Sequence, residues 1–295
     1  MTAGVAGVDW VRRWERLVRD REEQWERLGL GRRGADFWTT RAASFARFSR
    51  GVHRDDPVLE RVLAQMPAGD GRVLDVGAGT GRYAVPLAEF GARVQAVEPN
   101  AAMAGLLAEE ARGRGVSVAV EQSEWPACEP AVGSADVVLC AHVVYPIADI
   151  VPFIRALDRA ARCAVVMVAR LGQVDDGIAH VFEVVHGEPR VPMPALPDLY
   201  MLLLQLGFPV SATLHPFETR WAFADGETAV ADVAGRLGVQ PGTQTWAEVE
   251  SAVRSRLVPR GDEVLLAPSQ AYQGVLWWEA GTRVPGGTLG AFGNL

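Results

Sequence analysis

A chain of 295 residues, 49% of them hydrophobic, is long enough to fold as one large domain, or one domain with additions, around a full core. Its net charge of −7 argues against nucleic acid as a partner, no apolar run of about 18 residues exists to span a membrane, and residues 1–9 lack the basic-then-apolar pattern of a secretory signal. All 29 basic residues are arginine, which excludes lysine Schiff bases, lysine general bases and a P-loop lysine. Cys128, Cys140 and Cys163 are odd in number and show no metal-ligand spacing, which fits a reducing, cytoplasmic location and no metal site.

Asp9 can cap a helix from Trp10 to about Leu28, whose apolar stripe is Trp10, Trp14, Leu17, Val18, Trp25 and Leu28. Three tryptophans on one helix point to docking rather than a free tail. A break at 29–34 precedes a second helical pattern over 37–45, and a third helix is expected over 57–66. Strands at 72–77, 93–98, 116–121, 136–141 and 163–169 then alternate with helices at 82–90, 100–113 and 148–161, while 124–130 reads as a loop. Such alternation gives a parallel sheet with helices on both faces and right-handed crossovers. Beyond Arg170 the pattern loosens. Residues 175–197 are rich in proline, glycine and charge and read as irregular. A helix at 198–206, strands at 210–217 and 221–223, helices at 226–237 and 245–257 and a last strand at 272–279 follow.

The sheet's carboxyl ends, at Gly77, Glu98, Glu121 and Ala141, are expected to converge on one pocket. Strand, glycine turn and helix at 72–90 form the nucleotide-binding half of a βαβ unit. The glycines Gly77, Gly79 and Gly81 read G-x-G-x-G, with Arg82 one residue past the last, so the dinucleotide spacing G-x-G-x-x-G is not met. Asp75 stands ahead of the loop, and Glu98 ends the next strand 17 residues past Gly81, where a carboxylate can accept from both ribose hydroxyls. An acid ahead of the loop suits a ligand with a cationic end and no phosphate.

This combination resembles the class I S-adenosylmethionine-dependent methyltransferases. Their first motif is similar to Val73-Leu74-Asp75-Val76-Gly77-Ala78-Gly79-Thr80-Gly81, and their second to Val97-Glu98-Pro99-Asn100 with Met103 one turn on. Their fourth strand is similar to Ala135-Asp136-Val137-Val138-Leu139-Cys140-Ala141-His142. The likeness spans roughly residues 70–170. It implies an α/β, Rossmann-like, doubly wound, mostly parallel seven-stranded sheet closed by an antiparallel final pair, with a helical lid over 1–50, a methyltransferase domain over 51–295, and insertions at about 171–207 and 224–265 that cover the substrate.

The resemblance further implies S-adenosyl-L-methionine as cofactor. Asp75, Gly77, Ala78 and Gly79 would line its methionine end and Glu98 its ribose. Pro99 and Met103 would contact one side of the adenine and Ser123, Glu124 and Trp125 the other, with Ala141 and His142 close by. Many relatives carry an acid at the adenine amino group, a pattern from which Gln122 to Trp125 departs. The lid places Trp38, Arg41 and Phe45 as candidates to reach the ligand, with residues 10–45 closing over the cofactor.

Methyl transfer from a sulfonium by in-line displacement needs mainly positioning, and a base only where the nucleophile arrives protonated. His142, Tyr145 and His186 are the candidates for that base, and His186 also for substrate contact. His180 and His186 lack a ligand pattern for a metal, and His53 and His215 read as surface or strand residues. The expected function is methyl transfer to a small-molecule acceptor. An RNA or protein acceptor, an oxidoreductase using NAD, and a non-catalytic S-adenosylmethionine-binding protein are the alternatives. Replacing Glu98 is expected to weaken cofactor binding with little loss of fold.

Overall fold

A computed structural model of the chain describes residues 7–30, 39, 42, 55–69, 71–128, 133–172, 179–218, 222–266 and 270–284. Its centre is a seven-stranded sheet in the order β3-β2-β1-β4-β5-β10-β6. Strands β1 (Arg72–Val76), β2 (Arg93–Val97), β3 (Val118–Glu121), β4 (Ala135–Ala141) and β5 (Ala161–Arg170) are parallel. β10 (Gln270–Glu279) inserts antiparallel between β5 and β6 (Ser211–Glu218). β4 lies in the middle, and its first six residues are buried, as expected of an apolar run covered on both faces.

Helices α2 (Pro57–Gln65), α3 (Ala84–Glu89) and α4 (Ala101–Gly113) pack on one face around Val73, Val94, Val137, Leu139 and Val166. Local chemistry starts two of them. Asp56 accepts from Val58 and Leu59 N–H with Pro57 at the first turn, and Asn100 accepts from Met103 N–H. The other face carries α5 (Ile150–Ala160), α7 (Leu196–Gln205) and α1 (Trp10–Arg27) over Leu74, Val138, Val165, Met167 and Leu276.

The remainder forms a cap. Helices α6 (Ala179–His186), α8 (Gly226–Arg236) and α9 (Gln244–Arg254) share a third apolar cluster with a small sheet ordered β7-β9-β8. β7 (Ala222–Phe223), β9 (Glu263–Leu266) and β8 (Leu257–Arg260) are all antiparallel. Gln270 pairs with Glu218 and Gln273 with Arg170, so β5 and β6 end where β10 begins. Both connections, 171–195 and 219–269, therefore leave the main sheet at the carboxyl end of its parallel strands.

Three expectations change. Residues 179–186, read as irregular because proline, glycine and charge surround them, form a helix around the fully buried Phe182. The helix expected to reach Leu257 stops at Arg254, and a short hairpin follows. The strand near Phe223 joins the cap, not the main sheet.

The expected first helix is present, capped by Asp9, but it is a strut. Trp14 is fully buried and its indole N–H donates to Ile147 O at 2.8 Å. Arg13 pairs with Asp198 on α7, and Trp10 N–H donates to Gln205. Its far end belongs to the cap: Trp25 stacks on Phe182 with ring centroids 5.4 Å apart, and Gln24 bonds both Pro189 O and Val191 N–H. Trp14→Ala is expected to cost about 3–5 kcal/mol in chemical unfolding, because a large cavity and a lost hydrogen bond fall in the core between the main sheet and its α5 and α7 face. Of the second expected helix, Thr39 and Ala42 are helical, whereas Trp38, Arg41 and Phe45 lie outside the described residues, as does His53 further on.

Candidate functional site

Main-chain bonds bring the strand ends together. Gly77 and Ala78 N–H donate to Val97 O at 2.8 and 3.2 Å, Glu98 N–H to Glu121 O at 3.0 Å, and His142 N–H to Val168 O at 2.9 Å. Gly77, Gly79 and Gly81 all have positive φ, at 73°, 58° and 89°. At Gly77 a Cβ would fall 2.4 Å from Val143 Cγ2, so the turn after β1 lies directly on the loop after β4.

Glu98 is buried and its carboxylate ties the two motifs. Oε2 accepts from Gly79 N–H and Oε1 from Asn100 N–H, each at 2.9 Å. Burial raises its pKa against the pull of those two N–H groups. A carboxylate oxygen accepts more than one hydrogen bond, so both remain able to take a ligand hydroxyl. The same contacts make Glu98 structural, contrary to the expectation that its removal spares the fold. Glu98→Ala is expected to lower stability by about 1–3 kcal/mol as well as to weaken S-adenosylhomocysteine binding roughly tenfold or more, measured by unfolding and by titration calorimetry.

Asp75 is 2% exposed. Burial first, then the Glu98 carboxylate, push its pKa up to about 7, opposed by the Ala84 N–H. Its Oδ2 and the Thr80 hydroxyl are buried with no hydrogen-bond partner among the described residues. Orphaned buried acceptors are rare and ask for a ligand or water.

The adenine-side residues are spread more loosely. Met103 is buried on α4, Pro99 and Glu124 are exposed, and Ser123 is half-buried. Trp125, also half-buried, donates to Phe153 O on α5 at 3.3 Å. Ala141 ends β4. Thr39 Oγ1 lies 3.0 Å from Asn100 Nδ2, which sets Thr39 against the second motif.

His142 has a left-handed φ of 61°. Its Nδ1 meets Tyr145 Oη and its Nε2 meets Gln273 Oε1, both at 3.0 Å, and Tyr145 Oη also accepts from Arg170 N–H at 2.9 Å. Burial and the charges of Arg170 and Arg82 push His142 down to about 3, against the Gln273 bond that favours the charged ring, while burial pushes Tyr145 up to about 12. His186 sits in the cap with its ring 4.5 Å from that of Phe182, and His215 Nε2 lies 2.9 Å from Thr213 on β6. Among the described residues no group of acidic, histidine or cysteine side chains could hold a metal. No helix among them is long and apolar enough to cross a membrane.

The strand order, with a glycine turn after β1, is a Rossmann-like, doubly wound arrangement, in which ligands bind at the carboxyl ends of the strands. Residues 73–164 match the family model described as a methyltransferase domain. A solved structure from Bacillus halodurans C-125, provisionally named a methyltransferase, is similar over 77% of this chain and 99% of its own, at 17% identity and a TM-score of 0.51. An S-adenosylmethionine-dependent methyltransferase from Thiobacillus denitrificans, in complex with S-adenosyl-L-homocysteine, is similar over 82% of this chain and 97% of its own, at 16% identity and a TM-score of 0.47. Magnesium protoporphyrin IX methyltransferase from Synechocystis PCC 6803 with bound SAH gives 72%, 95%, 18% and 0.46. A search of curated protein sequences gives no match. Residues 73–164 thus match a methyltransferase domain, and the Bacillus halodurans structure shares the fold; the cofactor that the resemblance of the motifs implies is S-adenosylmethionine.

The residues present fit that cofactor. The orphaned Asp75 oxygen suits a hydrogen-bonding cation, Glu98 suits a vicinal diol, and the positive-φ glycines leave bare main chain between them. Sequence reasoning does not single out Thr39, Val143 or Gln273. Nothing in the local sequence of these residues marks the contacts they make.

Proposed function

We propose that the chain is an S-adenosylmethionine-dependent methyltransferase and that its acceptor is a small molecule. The observation that supports this reading is the direction of the chain: both connections that build the cap leave the main sheet at the end where the glycine loop, Glu98 and His142 lie. Thr39 adds a further cover at Asn100. Long connections starting at the site's end of the sheet suit an acceptor small enough to enter whole. The net charge of −7 disfavours a polyanionic one.

In this reading Asp75 faces the cationic amino end of the cofactor, Gly77, Ala78 and Gly79 leave room for its methionine portion, and Glu98 accepts the ribose hydroxyls. Met103 and Pro99 face one side of the adenine, with Ser123, Glu124 and Trp125 near the other. S-adenosylmethionine supplies a methyl group already activated on a sulfonium. What the chain contributes is orientation and exclusion of water. We assign His142 no base role, since both its ring nitrogens are engaged and its pKa lies far below neutral. We assign none to His186 either, whose ring lies tilted against Phe182 within the cap. Thr39, bonded to Asn100, rather than the strut α1, is the described part of the N-terminal region that lies over the cofactor in this reading.

The test is transfer of an isotopic methyl label from S-adenosylmethionine into a cell extract separated into low-mass, RNA and protein fractions. Label is expected in the low-mass fraction. Label recovered in RNA or protein overturns the small-acceptor reading.

A further inference from the structure

The loop after β4 is held by a chain of hydrogen bonds whose proton positions are fixed by elimination. Gln273 Oε1 can only accept, so His142 Nε2 carries a proton and donates to it. In the neutral ring Nδ1 is then bare and accepts from the Tyr145 hydroxyl, whose oxygen in turn accepts the Arg170 N–H. Gln273 is 2% exposed and lies on β10, where it pairs with Arg170 of β5. The chain thus runs from β5 through the β4 loop to β10, across three adjacent strands.

Between His142 and Tyr145 sits Val143, whose side chain fills the space beside Gly77 that a Cβ would need. His142 takes a left-handed backbone, a conformation that non-glycine residues rarely adopt. The two bonds to its ring hold it there. Gly77 opens the turn that faces the cofactor, so a movement of Val143 is transmitted to that turn.

We infer that Gln273 and Tyr145 are positioning residues for the cofactor: they lock His142 as the neutral Nε2–H tautomer and thereby hold Val143 against the glycine turn. The inference rests on the cofactor assignment and adds to it residues that touch neither cofactor nor acceptor. Burial of the His142 ring, which keeps it uncharged near neutral pH, agrees with the proton order.

The experiment uses the full chain and S-adenosylhomocysteine as probe, with three variants. Gln273→Leu removes the acceptor for Nε2–H, Tyr145→Phe removes the donor to Nδ1, and Gln273→Glu keeps an acceptor oxygen in place. Titration calorimetry is expected to show Gln273→Leu and Tyr145→Phe binding roughly tenfold more weakly than wild type and Gln273→Glu recovering most of that loss, the scale of one hydrogen bond. Nitrogen-15 spectra are expected to show the His142 ring as Nε2–H in the wild type and as mixed tautomers in the two weakened variants.

A general loss of structure does not produce a tautomer change, nor recovery by Gln273→Glu. Should Gln273→Leu fail to fold, Tyr145→Phe and the wild-type spectrum carry the same test. An Nδ1–H tautomer in the wild type, or unchanged affinity in both weakened variants, overturns the inference and leaves the cofactor assignment standing. A wild type that does not bind the probe overturns both.

Discussion

Gly77→Ala is expected to lower affinity for S-adenosylhomocysteine more than a hundredfold and to cost about 2–4 kcal/mol of stability, as left-handed strain and overpacking add. The cause is local and double. Gly77 holds φ at 73°, and an added methyl group would overlap Val143, with Cγ2 at 2.4 Å and Cγ1 at 3.0 Å. Either the turn or the β4 loop must move. Both border the place where the cofactor's methionine portion is proposed to lie.

The double variant Gly77→Ala, Val143→Ala separates the causes. Removing the valine methyls relieves the overlap but not the strain, so part of the stability should return, and with it part of the affinity if the overlap is what displaces the turn. Calorimetry and urea unfolding of the four proteins give the coupling energy directly. Additive losses would show that Val143 and the turn do not act together.

The second large effect is in pH. Asp75 has a pKa near 7 in the folded protein against 3.8 as an ordinary carboxyl, because burial and Glu98 disfavour its charge. A carboxyl raised by folding stabilises the fold only while protonated. Its contribution is present below about pH 4, declines as pH rises, and is lost above about pH 7, a change on the order of 4 kcal/mol. The cofactor-free enzyme should therefore lose thermal stability between pH 5 and pH 8, to the extent set by this group, and Asp75→Asn should flatten that decline.

Binding should run the other way. A cationic partner selects the carboxylate, so affinity of the wild type for S-adenosylhomocysteine is expected to rise about tenfold from pH 6 to pH 8. Asp75→Asn should bind weakly at every pH. The titratable groups that face Asp75 are Glu98, Cys140 and Tyr83. Glu98 is itself raised, so the same series on Glu98→Gln identifies which acid titrates. A flat wild-type profile across this range would remove Asp75 from the cationic subsite.

Much of the fold was legible because its signals are local. The run from Arg72 to Gly81 carries an apolar strand and its turn within a few residues, and the structure places β1 and three positive-φ glycines there. Asp9, Asp56 and Asn100 cap helices through hydrogen bonds spanning at most three residues, which a sequence pattern can show. Where context decides, the reading failed. α6 lies among proline, glycine and charge and is held by Phe182 in a distant cluster. β8 contains Pro259 and is only four residues long, too short to carry a period.

The site divides along the same line. The sequence by itself determined the glycine loop, the acid ahead of it and Glu98, because strand, turn and strand end fix their positions through backbone geometry alone. Only the tertiary structure decided what His142 is. Its partner Gln273 lies 131 residues away, and a histidine at a strand end reads as a base until both ring nitrogens are seen to be taken. It likewise decided that α1 is a strut. An apolar stripe says that a helix must be buried, but the surface that buries it is set by Ile147, Pro189 and Gln205, far along the chain. Asp75 shows the remaining limit: its position is a matter of sequence, but its pKa depends on how completely the folded sheet removes it from water.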